Sequence, residues 1–414
     1  MLESMTLIKV GKKARTLFNC NPNEESGLVE NPLPIEIKIA DFPDPSIYNL
    51  EVFGIYGSYA YLDALSKTSG DLGKFLYPQI YLEGKLIAAG CFQELHLNRE
   101  KLNELGRLFS ADSSWTIRLE GMLKGLLGAK SKSLKVLIAG NCQVSGPYGL
   151  FYTAAVSEQV QLKVWQQMIQ FIERELDPYS ILLVKDLNGK SDQMDSSWRR
   201  AGFTATQALP VMQMEILPDW SSFDDYLSAM GSKYRIRAKA ARKKGKDLVV
   251  QRWNTDEIAE HMDEIMNLYL QVYQRARFRL QKVSQDYFIK LSMMESDKFI
   301  FNAWLENGQL VGFSTMFLDQ KRADAHLIGL NYDTNKSHSL YLNMLYQYVE
   351  DAILSNVELL DLGRTAMEIK STVGAIPLDF SVYIKLKNPL LNGLAYMLAG
   401  SATTETWVQR HPFR

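Results

Sequence analysis

Apolar and polar positions alternate in the same way in two distant parts of the chain. Residues 77–93 (YPQIYLEGKLIAAGCFQ) form two apolar runs around a polar turn at Glu83 and Gly84. Residues 299–318 (FIFNAWLENGQLVGFSTMFL) repeat the pattern around Asn307 and Gly308. A short polar, glycine-containing turn between apolar runs is a strong hairpin signal. The pattern therefore predicts two β-hairpins, with turns at Gly84 and Gly308.

The same order of elements follows each hairpin. In the second copy, residues 323–332 predict a strand, residues 333–338 (DTNKSH) a polar loop, Leu340 to Ser355 a helix and residues 357–363 (VELLDLG) a strand. In the first copy, the strands are residues 134–141 and 180–189, and the helix between them runs from Gln159 to Leu176, with Ser157 as its predicted cap. A helix between two strands makes those strands parallel.

The repeat predicts an α/β protein with two tandem units, each a mixed β-sheet flanked by helices. The expected divisions are an N-terminal extension (1–34), a first domain (35–217), a second domain (218–390) and a C-terminal tail (391–414). The first copy also has a longer insertion, from about Leu95 to Ser133, between its hairpin and its third strand.

A strongly basic segment opens the second unit. Residues 222–246 are predicted to be mostly helical, with Ser222 as the cap and two acidic residues in the first turn. The stretch Lys233–Lys246 holds eight of the chain's cations. Two interpretations stay open: contact with the phosphates of tRNA or with an acidic carrier protein, and a solvated helix that balances the acidic remainder.

The composition narrows the class only slightly. A chain of 414 residues with 46% hydrophobic residues, 22% charged residues and a net charge of -1 is an ordinary globular protein. Cys20, Cys91 and Cys142 are widely spaced, which indicates a reducing compartment and no metal site. No secretory signal or membrane span is predicted, so a cytoplasmic protein is expected. The short apolar stretch 389–400 allows peripheral contact with a membrane surface at most.

Several stretches resemble the tandem-GNAT, FemAB-like group of transferases. They are LLVKDLNG (182–189), SFDDYLSAMGSKYRIRAKAARKKG (222–245) and, most specifically, LDLGRTAMEIKSTVGAIPLDFSVYI (360–384). The resemblance implies two tandem GNAT-like domains that transfer an acyl or aminoacyl group to an amine or hydroxyl by direct attack. The implied donor is a co-substrate, either a coenzyme A or carrier thioester or an aminoacyl-tRNA, and no cofactor is tightly bound. The implied acceptor is a small or lipid-linked molecule.

One departure from the GNAT pattern concerns the donor. GNAT acetyltransferases hold the coenzyme A pyrophosphate on an Arg/Gln-x-x-Gly-x-Gly/Ala turn at a helix N-terminus, where backbone N–H groups are free. The corresponding stretch of the second unit, residues 331–341, has no glycine. In the first unit, Gln143–Gly149 resembles the turn but has one residue too many and contains a proline. We therefore expect that a glycine turn of the second unit does not hold coenzyme A.

The stretch DLGRTAMEIKSTVG (361–374) is the main candidate for the chemistry. Gly363 and Gly374 permit sharp turns or close approach to a ligand, and Thr365 lies between them. Arg364 offers a planar fork for a carboxylate or phosphate, and Lys370 a cation for a developing oxyanion. We expect both cations to face one cleft. In the alternative interpretation Arg364 pairs locally with Asp361, and Lys370 is solvated.

Other candidates lie in the same unit. Tyr332, Asp333, Asn335 and Tyr341 follow its third strand, where an acyl or acceptor group would bind, and Tyr332 could donate a proton. His326, within that strand, is a candidate general base. The alternative function is a catalytically silent tandem-GNAT protein that binds a carrier protein or another partner.

Overall fold

The structure is a computed structural model. It describes residues 15–19, 33–67, 73–98, 101, 133–153, 156–176, 178–187, 192–276, 281–295, 297–389, 392 and 407–413. Most of the predicted extension 1–34, of the insertion between Leu95 and Ser133 and of the tail 391–414 lies outside these residues, as does most of the apolar stretch 389–400.

The first half of the chain forms a mixed sheet and the helices that cover it. Its elements are β1 (Arg15–Asn19), β2 (Ile35–Ala40), α1 (Leu50–Phe53), a 3-10 turn (Ile55–Gly57), α2 (Tyr59–Ser66), β3 (Gly73–Leu82), β4 (Lys85–Gly90), β5 (Phe92–Leu97), β6 (Leu134–Ala139), β7 (Leu150–Tyr152), α3 (Glu158–Glu175), β8 (Ile181–Leu187), α4 (Asp192–Arg200), β9 (Thr204–Gln207) and β10 (Val211–Glu215).

The second half repeats this organisation. Its elements are α5 (Phe223–Ala229), α6 (Ser232–Lys244), β11 (Leu248–Arg252), α7 (Thr255–Glu260), α8 (Met262–Arg275), α9 (Gln285–Ser292), β12 (Phe299–Glu306), β13 (Gln309–Asp319), β14 (Arg322–Leu330), α10 (Tyr332–His338), α11 (Leu340–Leu354), β15 (Leu359–Asp361), α12 (Met367–Ser371), β16 (Ile376–Leu378) and β17 (Ser381–Leu386).

Both predicted hairpins and both crossover helices are confirmed. β3 and β4 are joined by Glu83 and Gly84, and β12 and β13 by Asn307 and Gly308; all four residues have positive φ, as a two-residue hairpin turn requires. The parallel pairs are β6 with β8 across α3, and β14 with β15 across α11.

Three local predictions need correction. The predicted loop 333–338 is part of helix α10, because the Asn331 side chain accepts hydrogen bonds from the backbone N–H groups of Asp333 and Thr334. The basic segment is two helices, α5 and α6, rather than one. Ser222 caps α5 as predicted, whereas Ser157 stands at the N-cap of α3 without a side-chain capping bond.

The two sheets exchange one strand each. The first sheet runs β1-β2-β3-β5-β6-β8-β17-β9, with β4 and β7 off this path, and the second runs β11-β12-β13-β14-β15-β10-β16. Strand β10 comes from the first half of the chain but lies between β15 and β16. Strand β17 comes from the second half but lies between β8 and β9. The strands therefore do not follow the expected boundary at 217/218.

An apolar core continues from one unit into the other. Tyr61 and Tyr77 of the first unit belong to the same buried cluster as Phe301 and Phe317 of the second. The ring of Tyr56 lies 5.6 Å from that of Phe317. The two units are therefore packed on each other as the layers of one domain are packed.

A polar contact fixes the 3-10 turn of the first unit against the second. The Asp319 carboxylate, at the end of β13, accepts a hydrogen bond from the Ile55 backbone N–H at 2.8 Å. Gly54 has a φ of 68°, and a Cβ there would lie 2.5 Å from the Asp319 Oδ2 atom. Only glycine allows the carboxylate this close to the turn.

Candidate functional site

The strands β14 and β15 part at one pair of carboxylates. Their parallel register ends with Asp324 opposite Asp361. β15 stops there, while β14 continues to Leu330. The side chains beyond this pair have no neighbouring strand on that side. The split between β14 and β15 is therefore the mouth of the candidate site.

The chain turns sharply directly after β15. Gly363, Thr365 and Ala366 all have positive φ, at 70°, 66° and 48°. The Lys370 ammonium holds this turn from inside, because it donates to the carbonyl oxygens of Gly363 at 3.2 Å and of Arg364 at 2.7 Å. Lys370 is only 5% exposed. The interpretation of Lys370 as a solvated lysine is thus wrong.

Burial makes Lys370 an unusual lysine. Removal from water lowers its pKa to about 7, although the nearby Asp361 carboxylate acts in the opposite direction. The ammonium uses two of its three hydrogens on backbone carbonyls. One hydrogen therefore remains for another acceptor, and the group can gain or lose its proton near neutral pH.

Arg364 reaches across to the first unit. Its guanidinium donates to the Asp186 carboxylate at 2.5 Å, to the Ser145 hydroxyl at 2.9 Å and to the Leu209 carbonyl. The Arg364 and Asp186 side chains are 9% and 1% exposed. The local pairing of Arg364 with Asp361 is therefore wrong, because each has a different partner.

Asp186 collects several donors at the end of β8. Lys185 lies 2.9 Å from its carboxylate, and the backbone N–H of Gly146 donates to it at 2.9 Å. Burial raises the pKa of Asp186, but the cations of Lys185 and Arg364 outweigh this effect and hold it below its usual value. The loop that resembles a phosphate turn, Gln143–Gly149, is thus tied to this carboxylate.

A second cluster of buried charged and polar side chains lies at the split itself. The Arg322 guanidinium binds Asp324 and Asp361, each at 2.7 Å. Gln213, on the exchanged strand β10, donates to Asp361 at 2.9 Å. Asp324 is 4% exposed. Its burial, together with the Asp361 charge, outweighs Arg322 and raises the pKa of Asp324 to about 7, and the Tyr56 hydroxyl hydrogen-bonds to it.

The middle of β14 is irregular, and the backbone N–H and carbonyl of Leu327 there are hydrogen-bonded within the protein. The pairing with β13 shifts register between Ser314 and Met316. The Thr315 hydroxyl accepts from the Leu327 N–H at 2.8 Å and donates to its carbonyl at 3.1 Å. The Leu327 N–H therefore already has an acceptor.

His326 lies in the same irregular part of β14. Its ring contacts the Tyr287 hydroxyl at 2.7 Å and lies 4.8 Å from the Phe317 ring. Burial lowers the pKa of His326 to about 3. The imidazole is therefore neutral at ordinary pH and is a weak base.

The residues after β14 form a group of their own. The Arg275 guanidinium lies 3.9 Å from the centre of the Tyr332 ring, and Asp333 is exposed beside Lys336. The Asn335 side chain accepts from the Tyr341 backbone N–H at 2.8 Å. The contacts of this group are with α8 and α11, whereas those of Arg364 are with the first unit.

The last two predicted residues flank α12. Thr365 is exposed in the turn before it. Gly374 follows it with a φ of 112°, and a Cβ there would lie 2.4 Å from the Phe413 ring. The close approach at Gly374 is therefore to the chain's own C-terminal segment, which is the described stretch 407–413.

The sequence analysis missed three residues that the structure brings to this region: Asp186, Ser145 and Asp324. A signal for Asp186 was present, because KDLNG (185–189) in the first copy aligns with LDLGR (360–364) in the second. Aligning the repeats places Asp186 at the position of Asp361. Asp324 and Ser145 give no comparable signal.

The sheet topology and the split strands define a class, the GNAT fold, present twice. Residues 232–371 match the family model described as an acetyltransferase (GNAT) domain. The expected resemblance is confirmed: this chain has the fold of the tandem-GNAT, FemAB-like group.

Several solved structures are similar to most of this chain. FemX is similar over 82% of this chain and 95% of its own, with a TM-score of 0.52 and 10% identity. A tandem GNAT protein from the clavulanic acid biosynthesis pathway covers 86% and 99%, with a TM-score of 0.46 and 10% identity. L-PGS from Bacillus licheniformis covers 87% and 98%, with a TM-score of 0.46 and 10% identity. No curated protein matches the sequence.

Two kinds of feature are absent from the described residues. None of their helices has both the length and the apolar character needed to span a bilayer. Nor do three or more of their His, Cys, Asp or Glu side chains meet as a metal-binding group would.

Proposed function

We propose that the protein is an acyltransferase, which transfers an acyl or aminoacyl group from an activated donor to an amine or hydroxyl by direct attack. The reacting centre is the split between β14 and β15. The observation that carries this proposal is the Asp324 carboxylate at that split, with a pKa raised to about 7 by burial. A base with a pKa near the working pH is the most effective proton acceptor.

The roles follow from the contacts. The attacking amine or hydroxyl gives its proton to Asp324 while it bonds to the acyl carbon, and the bond between that carbon and the donor's sulfur or oxygen breaks. The leaving thiolate or alkoxide then takes the proton from Asp324 and departs as a thiol or hydroxyl. The free hydrogen of Lys370 stabilises the negative charge that develops on the acyl oxygen. Arg364 positions the turn to which Lys370 donates, because three of the Arg364 donors are engaged by Asp186, Ser145 and Leu209.

The remaining site predictions fit around this centre. We assign Tyr332, Asp333, Asn335 and Tyr341 to the binding of substrate beyond the end of β14, and Gly363 and Thr365 to the turn that borders it. His326 supports the strand through Tyr287. Gly374 keeps α12 against the C-terminal segment.

The donor is a thioester of coenzyme A or of a carrier protein, or an aminoacyl-tRNA, and the acceptor is a small or lipid-linked molecule. The N-terminal end of α11 does not favour a coenzyme A pyrophosphate, because Asn335 already accepts from the Tyr341 N–H and α10 precedes it. We therefore keep the expectation that a glycine turn of this unit does not hold coenzyme A.

The test is a mass-spectrometric screen of acyl donors and acceptors, followed by variants on the active pair. Lys370→Met removes an oxyanion donor and is expected to lower kcat about a hundredfold or more. Asp324→Asn is expected to lower it by about 10²–10⁴ and to remove the loss of activity below about pH 7.

Lys321→Met is the matched control, because Lys321 is an exposed lysine in the turn before β14. It should retain the parent's kcat. Near-normal turnover of Lys370→Met and Asp324→Asn on the true substrate would overturn the proposed roles.

A second function is favoured by one observation. Arg364, the cation expected to bind a ligand, already donates to three protein partners in the first unit. A catalytically silent protein that binds a carrier or another partner would need no free cation at the split. Failure of every thioester and aminoacyl-tRNA in the screen, with intact binding of a carrier protein, would favour this function.

A further inference from the structure

A surface pocket lies on the side of α12 that faces away from the reacting centre. It has a volume of about 420 Å³ and is bounded by α6, α12 and the C-terminal segment. Lys370 points from α12 towards the turn after β15, whereas Glu368 and Ile369 line the pocket. One short helix therefore separates this pocket from the candidate catalytic lysine.

The pocket is basic. Lys233 and Arg237 line it from α6, and Arg410 lines it from the C-terminal segment. Among the described residues that line the pocket, the only acid is Glu368, which pairs with Arg410 at 2.5 Å. Among the described residues, neither Lys233 nor Arg237 has a carboxylate within 4.0 Å. Two cations are thus left to attract an anion.

The placement of these cations is unfavourable without an anion. Lys233 and Arg237 are four residues apart on one face of α6, where like charges repel. Lys233 also lies in the first turn of α6, where the helix dipole disfavours a cation. That turn contains no acidic residue, and Gly231 provides no side-chain cap. A bound phosphate would relieve both conflicts.

The other walls suit the rest of a nucleotide. Tyr234 and Ile369 present an aromatic ring and an aliphatic side chain on which a flat base can lie. Glu368 offers carboxylate oxygens to ribose hydroxyls or to a base N–H. The wall is therefore mixed, with cations for a phosphate and a flat apolar part beside them.

We propose that this pocket binds the phosphorylated nucleoside end of the acyl donor. The inference rests on the proposed function for the nature of the ligand. Coenzyme A ends in a phosphorylated adenosine that its pantetheine arm separates from the thioester, so this end can bind one helix away from the reacting centre. The terminal adenosine of aminoacyl-tRNA carries the acyl group itself, so the source that fits this pocket is coenzyme A. The pocket also gives the basic helix α6 a specific role, in place of a general attraction for phosphates.

The test is equilibrium binding to the full chain, by calorimetry or fluorescence anisotropy, with two probes. Adenosine 3′,5′-bisphosphate represents coenzyme A, and a short RNA hairpin ending in CCA represents tRNA. We expect adenosine 3′,5′-bisphosphate to bind, more weakly as salt rises. Lys233→Gln and Arg237→Gln should each weaken it by about tenfold, as expected for the loss of a charged hydrogen bond. Binding of the RNA hairpin alone would contradict this assignment to coenzyme A.

The matched control is Lys243→Gln, which removes the same charge from an exposed position of α6 outside the pocket. It should change the affinity by less than about twofold. Equal weakening by Lys243→Gln, or no binding of adenosine 3′,5′-bisphosphate, would overturn the inference. So would inorganic phosphate binding as tightly as the nucleotide probes, because Tyr234 and Ile369 would then contribute nothing.

Binding is measured without turnover, so this test is independent of the proposed reaction. Lys370→Met should lose turnover and keep the affinity for the probe. If Lys370→Met and Asp324→Asn keep full turnover while Arg237→Gln loses binding, the pocket stands and the catalytic roles fall.

Discussion

Lys370 shows how strongly burial decides what one residue does. Its ammonium has exchanged water for two backbone carbonyls, and its pKa of about 7 lies below the value of 10.5 that it has in an unfolded chain. Above about pH 7 the unfolded chain therefore holds a proton that the folded protein has released. Folding becomes more favourable as pH rises through this interval, until the unfolded lysine also loses its proton.

This sign gives a prediction at the scale of the residue. Between about pH 7 and about pH 9.5 the free energy of unfolding of the parent should rise relative to that of Lys370→Met, by up to about 1.4 kcal/mol per pH unit. Urea unfolding at several pH values measures the difference. Lys321→Met should follow the parent, because that lysine is exposed. Parallel pH profiles for the parent and Lys370→Met would show that Lys370 has an ordinary pKa.

At the scale of the element, the ends of β8 and β15 are connected by one buried ion pair. Arg364 follows β15, and Asp186 lies at the end of β8. Asp186 also binds Lys185 and the Gly146 N–H, so the carboxylate organises a loop of the first unit as well as the turn of the second. Loss of its charge would leave two buried cations without a carboxylate partner.

Asp186→Asn tests this connection. Because it breaks a buried pair by removing one partner, we expect the free energy of unfolding to fall by about 3–5 kcal/mol. The control is Glu36→Gln, which breaks the partly exposed pair with Lys38 at 3.2 Å and should cost less than about 1 kcal/mol. Equal losses in the two variants, measured by urea unfolding, would mean that the bridge to Arg364 contributes no more than a surface pair.

The sequence predicted the elements whose signals are local. The turns at Gly84 and Gly308 and the helices α3 and α11 follow from short patterns of apolar spacing and turn residues. Helix α10 was missed because its polar sequence has no apolar stripe and depends on the Asn331 cap. The exchanged strands were missed because residues far apart in the chain decide which sheet a strand joins.

The residues of the candidate site, too, were predicted where the signal is local and missed where it is not. Gly363, Arg364 and Lys370 were found because they are close in sequence. The carboxylate that binds Arg364 lies 178 residues away, so a reading of neighbouring residues pairs the arginine with Asp361 instead. Asp324 stands in a strand that reads as apolar, and only the register of β14 with β15 brings it beside Asp361.

At the scale of the whole molecule, the reciprocal exchange of β10 and β17 makes each half incomplete without the other. A piece ending at residue 217 lacks β17, so β9 has no partner and β8 has one open edge. A piece beginning at 218 lacks β10, so β16 has no partner. Open edges of this kind promote aggregation.

We therefore predict that residues 1–217 and 218–414, made separately, do not form native structure, whereas the two pieces made together associate. Near-ultraviolet circular dichroism and size-exclusion chromatography measure both outcomes. The intact chain should unfold in a single transition, since the two units also share an apolar core. Cooperative unfolding of either piece alone would contradict the prediction.

The position of β17 also has a consequence for synthesis. Domains generally fold from the N-terminus as the chain leaves the ribosome. The gap between β8 and β9, however, is filled by residues 381–386, which are made only after strands β10 to β16. Nascent chains must therefore carry an unfinished first sheet while β10 to β16 are being made. The yield of folded protein therefore depends on whether chaperones protect this sheet until β17 is made. It also depends on whether β10 first closes the sheet in the wrong place.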